Sequence, residues 1–177
     1  MDSRERRISM NIPDDLGELT ALFEKLGAEE PASWARSQIK EGFPQLQRFL
    51  FLRQAWRKVV GENDTDWMQY NIQRAQKHPD EPYAGVGQAL QRCLDRGASA
   101  QDLNDIVRGM QAQLLFDLCY LLDDPMLTEE ELSDFQWGLF EVDRDGRPVP
   151  PCIEGLHESV LETDPMGREM RPRKEAG

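Results

Sequence analysis

The residues best able to do chemistry in this chain sit close to its C-terminal end. Gly155-Leu-His157-Glu-Ser159 places a histidine, a carboxylate and a hydroxyl within three positions, and Cys152 lies five residues before the histidine. Nucleophilic catalysis needs a nucleophile, a base and a group that orients the base. If this stretch is extended, successive side chains point to opposite faces, so the three cannot meet through local geometry alone. A hydrogen-bonded structural histidine is the simpler reading of His157. Asp117 is a second candidate, because it interrupts Leu114-Leu-Phe-Asp-Leu-Cys-Tyr-Leu-Leu122, the most apolar run in the chain. A buried carboxylate there would need a partner and would mark a site. Asp117 also shares a helical line with Gln113, Tyr120 and Asp124, which reads as a narrow solvated stripe. Asp117, Tyr120 and His157 are thus the candidate lining of a pocket between helices and the C-terminal segment.

Other motifs fall short. Glu141-x-Asp143-x-Asp145-Gly146 has the opening of an EF-hand calcium loop, but its twelfth position is Cys152 and prolines occupy the exit where a helix is required. It reads as a turn with glycine at positive φ. Gly85-Val-Gly87 ahead of a helix lacks the third glycine and the lysine of a phosphate-binding loop. There is no G-x-S-x-G elbow and no H-E-x-x-H pair. Cys93, Cys119 and Cys152 are odd in number and widely spaced, so neither a disulfide framework nor a zinc site is expected. No metal and no cofactor is called for.

A contact surface is the remaining candidate. Gln47, Phe51, Gln54 and Lys58 recur at spacings of four, three and four, so they share one line of a helix. An aromatic in a polar row is a common interface anchor. The plain alternative is that Phe51 is covered by neighbouring elements.

The elements that must hold these residues are mainly helical. The pattern predicts about seven helices packed around a central long helix (99–124), with a small C-terminal β-hairpin or extended segment. Ser99 is a natural N-cap for that central helix, with Asp102 in its first turn. Leu103, Ile106, Val107, Met110, Leu114, Leu118 and Leu121 form its apolar face, which is expected to be sealed inside a jacket of shorter helices. Those shorter helices are predicted over about Asp14–Leu26, Pro31–Glu41, Pro44–Val60, Asp66–His78 and Tyr83–Arg96, with a seventh from Thr128 to about Asp134. Gly27, Gly42, Gly61 and Gly97 close four of them. After Trp137 alternating strand formers and two turn signals predict a hairpin or meander over Leu139–Met170, limited by Pro148, Pro150 and Pro151. The organisation expected is a flexible N-terminus (1–12), a helical domain (13–135), the C-terminal hairpin or extended segment packed on it (136–172) and a polar tail (173–177).

Composition narrows the function classes. With 21 Lys and Arg against 33 Asp and Glu, the 177-residue chain carries a formal charge of −12, which repels phosphate backbones and excludes general nucleic-acid binding. At 39% hydrophobic it can fill a core. No apolar run is long enough to cross a bilayer, and the arginines near Met1 are not followed by a signal-type apolar stretch. A cytoplasmic, reducing compartment is expected. Two functions follow. The first is an acidic helical module that binds or inhibits a basic partner protein, as bacterial immunity and antitoxin-type proteins do in physical character. The second is an enzyme or small-ligand binder using the pocket around Asp117, Tyr120 and His157. Homodimerisation through exposed apolar helix faces is a third expectation.

Overall fold

The computed structural model describes residues 12–173, so the expected frayed N-terminus, up to residue 11, and the last four residues of the tail lie outside it. Among the described residues the chain is mainly helical, with six α-helices and one two-stranded antiparallel sheet. The helices are α1 (Leu16–Leu26), α2 (Pro31–Glu41), α3 (Gln45–Trp56), α4 (Asp66–Lys77), α5 (Ala84–Asp95) and α6 (Ala100–Asp123). The strands are β1 (Leu139–Val142) and β2 (Pro148–Ile153). Two compact units are distinguishable, one made of residues 12–54 and 116–171 and the other of 55–115 and 172–173.

Local signals explain most boundaries. Asp15 caps α1 by accepting from the Glu18 backbone N–H at 2.9 Å, and Gly27 ends the helix at φ +87°. Ser99 Oγ accepts from the Asp102 N–H at 3.3 Å and opens α6. The expected seventh helix is instead a single 3₁₀ turn, Glu130–Leu132. Thr128 does not cap it; the Thr128 N–H instead donates to the Glu129 carboxylate at 3.1 Å. The helix predicted to reach Val60 stops at Trp56, where three-residue turn bonds take over, Lys58 N–H to Ala55 O at 2.9 Å and Val59 N–H to Trp56 O at 3.1 Å.

In the first unit, Leu19, Phe23, Trp34, Ala35, Leu46 and Phe49 form the core. Its three rings meet at centroid distances of 5.4–5.9 Å, two of the contacts edge-to-face. The hairpin pairs Leu139 with Ile153 and Val142 with Pro148, and slips between Phe140 and Glu141, where Pro150 and Pro151 have no partners. Asp143 makes its turn: Oδ1 accepts from the Asp145 and Arg147 N–H groups at 2.9 Å, and Gly146 sits at φ +78°. The meander expected to continue to Met170 ends at Ile153. His157–Ser159 is a 3₁₀ turn between buried Leu156 and Val160.

In the second unit, Met68, Ile72 and Leu90 form the core between α4 and α5. Gly87 belongs to that contact: a Cβ there would lie 2.1 Å from the Asn71 carbonyl oxygen, so its role is close helix approach. The side chains of α6 then hold the connection from Val59 to Glu62. Asn104, fully buried, donates to the carbonyls of Gly61 and Glu62 at 2.9 Å and accepts from Trp67 Nε1 at 2.8 Å. Arg108 donates to Val60 O at 2.8 Å, and Gln111 accepts from Val60 N–H at 2.8 Å.

The sealed central helix is not what the structure contains. The buried positions of α6 are Asn104, Arg108, Ala112 and Cys119, while Ile106, Met110, Leu114, Leu118 and Leu121 are 37–70% exposed. The physical reason is the one just given: the loop before α4 needs donors and acceptors, and the polar line of α6 supplies them. Most of the apolar line therefore faces outward, while Leu103 packs against the core of the second unit and Val107 is half-buried.

Candidate functional site

The first unit carries two features with functional chemistry, a histidine–carboxylate pair and an exposed apolar surface rich in acids. Asp123, the last residue of α6, places Oδ2 2.6 Å from His157 Nδ1, and the same oxygen accepts from the His157 backbone N–H at 3.4 Å. The rings of Tyr120 and Phe116 stand edge-on to the imidazole at 4.8 and 5.9 Å. The second oxygen, Asp123 Oδ1, is buried without a hydrogen-bond partner among the described residues. Cys119 is buried, and loss of solvent, with Asp123 nearby, pushes its thiol up to about 12, so it is no nucleophile. Cys152 is also held above the ordinary thiol value, first by burial and then by Glu154.

Beside this pair, Arg48 on α3 is buried and donates weakly to Ser159 Oγ at 3.5 Å. Gly155 at φ +68° leaves room for its guanidinium. Burial lowers the Arg48 pKa, and Glu158, Asp123, Glu162 and Glu154 oppose that effect. Burial is also the leading reason that the Glu162 carboxyl is raised. Arg48, Gln45 and Glu158 line a cavity of about 600 Å³ together with Glu41, Cys152 and Glu154. Gln45 Oε1 and Arg48 Nε are buried there without partners among the described residues.

Of the pocket residues read from the sequence, Tyr120 and His157 come together. Asp117 is exposed, as are the other members of its predicted solvated stripe, Gln113, Tyr120 and Asp124. Of the predicted contact row, Gln47 donates to Glu141 Oε2 at 3.2 Å and Phe51 is half-buried. Gln54 is exposed, and Lys58 lies beyond the end of α3. The row is therefore broken by the early helix stop and by the hairpin partner of Gln47. No cluster of three or more candidate metal ligands occurs among the described residues. Among them, too, no helix is long and apolar enough to cross a membrane.

The larger feature escaped motif reading. From Gly109 to Asp143 the chain has nine Asp and Glu and not one Lys, Arg or His. In the part of this stretch that belongs to the first unit, Leu118, Leu121, Met126, Leu132, Phe135 and Trp137 are all exposed. The two aromatics among them are tied to α6: Trp137 Nε1 donates to Leu121 O at 2.7 Å, and Phe135 packs edge-on against Trp137 at 5.9 Å. Asp117, Asp124, Glu130, Glu131 and Asp134 are exposed among them. The legible signal was the combination of a long gap in basic residues with an excess of apolar ones. Comparison with known proteins adds nothing to this geometry, since no family model, curated protein or solved structure matches the chain.

Proposed function

We propose that this protein is an interaction module that binds a basic partner protein through the acidic, apolar surface formed by the end of α6 and residues 124–137. The single observation that carries this reading is the exposure of Leu118, Leu121, Phe135 and Trp137 within a stretch that has carboxylates and no cation. Contiguous exposed apolar side chains ringed by charge of one sign are the usual character of a recognition surface. Buried aromatics supply most of the affinity in such contacts, and the charge speeds encounter and selects the partner. Inhibition of the partner would follow from the same occupancy, because a covered surface is withdrawn from its own substrate. The test is affinity capture from the source cells with the wild-type chain and with Leu118→Lys. A specific partner retained by the wild type, lost at high salt and lost in the variant supports the module. Capture unchanged by the variant overturns the assignment of this surface.

A second reading, a small-ligand binder or an enzyme, is favoured by one specific observation, the orphaned Arg48 Nε and Gln45 Oε1 in a cavity near the His157–Asp123 pair. A ligand carrying both an acceptor and a donor would satisfy both atoms. Ligand-observed NMR screening of small zwitterions decides it: the absence of any binder whose signal depends on Arg48 removes this reading.

A further inference from the structure

We infer that the partner presents an amphipathic helix with lysine or arginine along its flanks, seated on Leu118 and Leu121 with Phe135 and Trp137 as the wall. This rests on the interaction-module reading and specifies the partner's chemistry.

Three observations lead to it. First, the exposed apolar side chains that α6 contributes to the first unit, Leu118 and Leu121, recur at a helical spacing of three. That periodicity is complementary to another helix laid beside it, whose anchors recur at the same spacing. Second, the wall is tied to α6 by its own contacts. The Trp137 indole is tied to the Leu121 carbonyl at 2.7 Å and braced by Phe135, so two aromatic rings stand fixed beside the apolar line. A fixed aromatic edge is an anchor that loses little rotamer entropy on binding. Third, the charge is one-sided. The sole basic residue of α6, Arg108, is buried, and the stretch from Phe116 to Asp143, which carries the surface, has no Lys, Arg or His in its sequence, whereas Asp105, farther up the helix, is already ion-paired with Arg173. The exposed acids of that stretch include Asp117, Asp124, Glu130, Glu131 and Asp134.

That one-sidedness argues against the most obvious competitor, a second copy of this chain. Two such surfaces brought face to face would set one acidic stretch without a Lys or Arg of its own against another, an arrangement that costs association energy. An extended peptide is also a poorer fit. Strand addition needs an open sheet edge, whereas the surface here is a helix side with apolar groups at helical intervals.

The experiment uses the full chain and three synthetic peptides of about eighteen residues. One is a helical Leu/Lys sequence with leucines at helical spacing. The second has the same composition with prolines inserted to prevent a helix, and the third has each Lys replaced by Glu. Affinity is measured by titration calorimetry at about 50 and about 500 mM salt, across which the screening length shrinks severalfold. The expected result is binding of the helical basic peptide at least tenfold tighter than either control, weakened at least tenfold by high salt. Leu118→Lys and, independently, Phe135→Ala should each weaken it at least tenfold, with circular dichroism spectra unchanged. Tyr70→Ala, an exposed aromatic on α4 in the other unit, should leave it unaltered. Equal binding of the proline-containing basic peptide, still sensitive to Leu118→Lys, overturns the helical partner while sparing the interaction module. Binding of the basic peptides that ignores both surface variants overturns the helical partner and the surface assignment together. A concentration-dependent dimer by light scattering that Leu118→Lys abolishes assigns the surface to a second copy and overturns the basic partner.

Discussion

The two sides of α6 follow opposite rules. Its inner side is polar or small, Asn104, Arg108, Ala112 and Cys119, while its outer side is Ile106, Met110, Leu114 and Leu118. An amphipathic helix of an ordinary globular domain would be turned the other way round. What the difference teaches is that a backbone loop without its own partners outranks apolar area. The Val60–Glu62 peptide groups have no helix or strand to satisfy them, and each unsatisfied buried group costs about 1–3 kcal/mol. Asn104, Arg108 and Gln111 meet that demand with four bonds of 2.8–2.9 Å to Val60, Gly61 and Glu62. Turning α6 over to bury its leucines would break all of them at once.

The sharpest way to break this comparison is to remove the polar lock. Asn104→Leu keeps the branched shape and raises helix propensity, but it strands the Trp67 indole N–H and removes one donor each from the Gly61 and Glu62 carbonyls, which keep Asp64 N–H and Gln101 as partners. The expected loss is about 3 kcal/mol, read as a lowered midpoint in urea denaturation. Hydrogen exchange should localise the damage to the second unit. If the variant is as stable as the wild type, the lock does not set the orientation of the helix.

A second test uses the thiol on the same inner line. The Cys119 thiol is raised from an ordinary 9.0 to about 12 by burial, with Asp123 adding to the effect. A group whose folded value is raised stabilises the fold fully below its unfolded value and loses that contribution as the pH climbs towards the folded value. In this window the unfolded chain releases a proton that the folded chain keeps. Stability should therefore fall above about pH 9, by about 2 kcal/mol for one and a half pH units. Cys119→Ala should flatten that slope, and an alkaline limb of the same steepness in the variant would show that Cys119 stays accessible when folded. At neutral pH, thiol reagents should modify Cys93 and Cys152 and leave Cys119 untouched.

Much of the fold was legible beforehand, for reasons that are local. Asp15, Gly27, Pro31, Gly42 and Ser99 act within one turn of where they stand, so they announce α1, α2 and the start of α6 without help from the rest of the chain. The Asp143–Gly146 turn is local in the same sense. What could not be read was which way a helix faces. Periodicity reports that Ile106, Met110 and Leu114 share a side, but the decision to bury the opposite side is made by a loop more than forty residues away in sequence. The site suffered likewise. His157 and Tyr120 were singled out, yet Asp123, which orients the imidazole, lies 34 positions from it in sequence. Phe51 drew notice as an aromatic among polar residues, and it is half-buried. The exposed anchors are leucines and aromatics that a core-seeking eye assigns to the interior.

The smallest expected effect makes the hardest test of the comparison. Leu114 sits 56% exposed in the middle of the outer line, where a core leucine would be expected from periodicity alone. Truncating or replacing a buried leucine costs about 2–5 kcal/mol, the sum of lost transfer energy and the cavity left behind. Leu114→Gln on the outer side leaves no cavity, keeps a good helix former and exposes no new backbone, so the expected change is within about 0.5 kcal/mol. The measurement is the same urea midpoint, run beside Asn104→Leu, so that two substitutions ten residues apart on one helix are compared directly. A near-neutral Leu114→Gln beside a costly Asn104→Leu means that stability resides on the polar side, and the apolar side is free to be used by something else. A loss of several kcal/mol at Leu114 would mean the reverse: the leucine line is buried in solution, and no surface is available there for a partner.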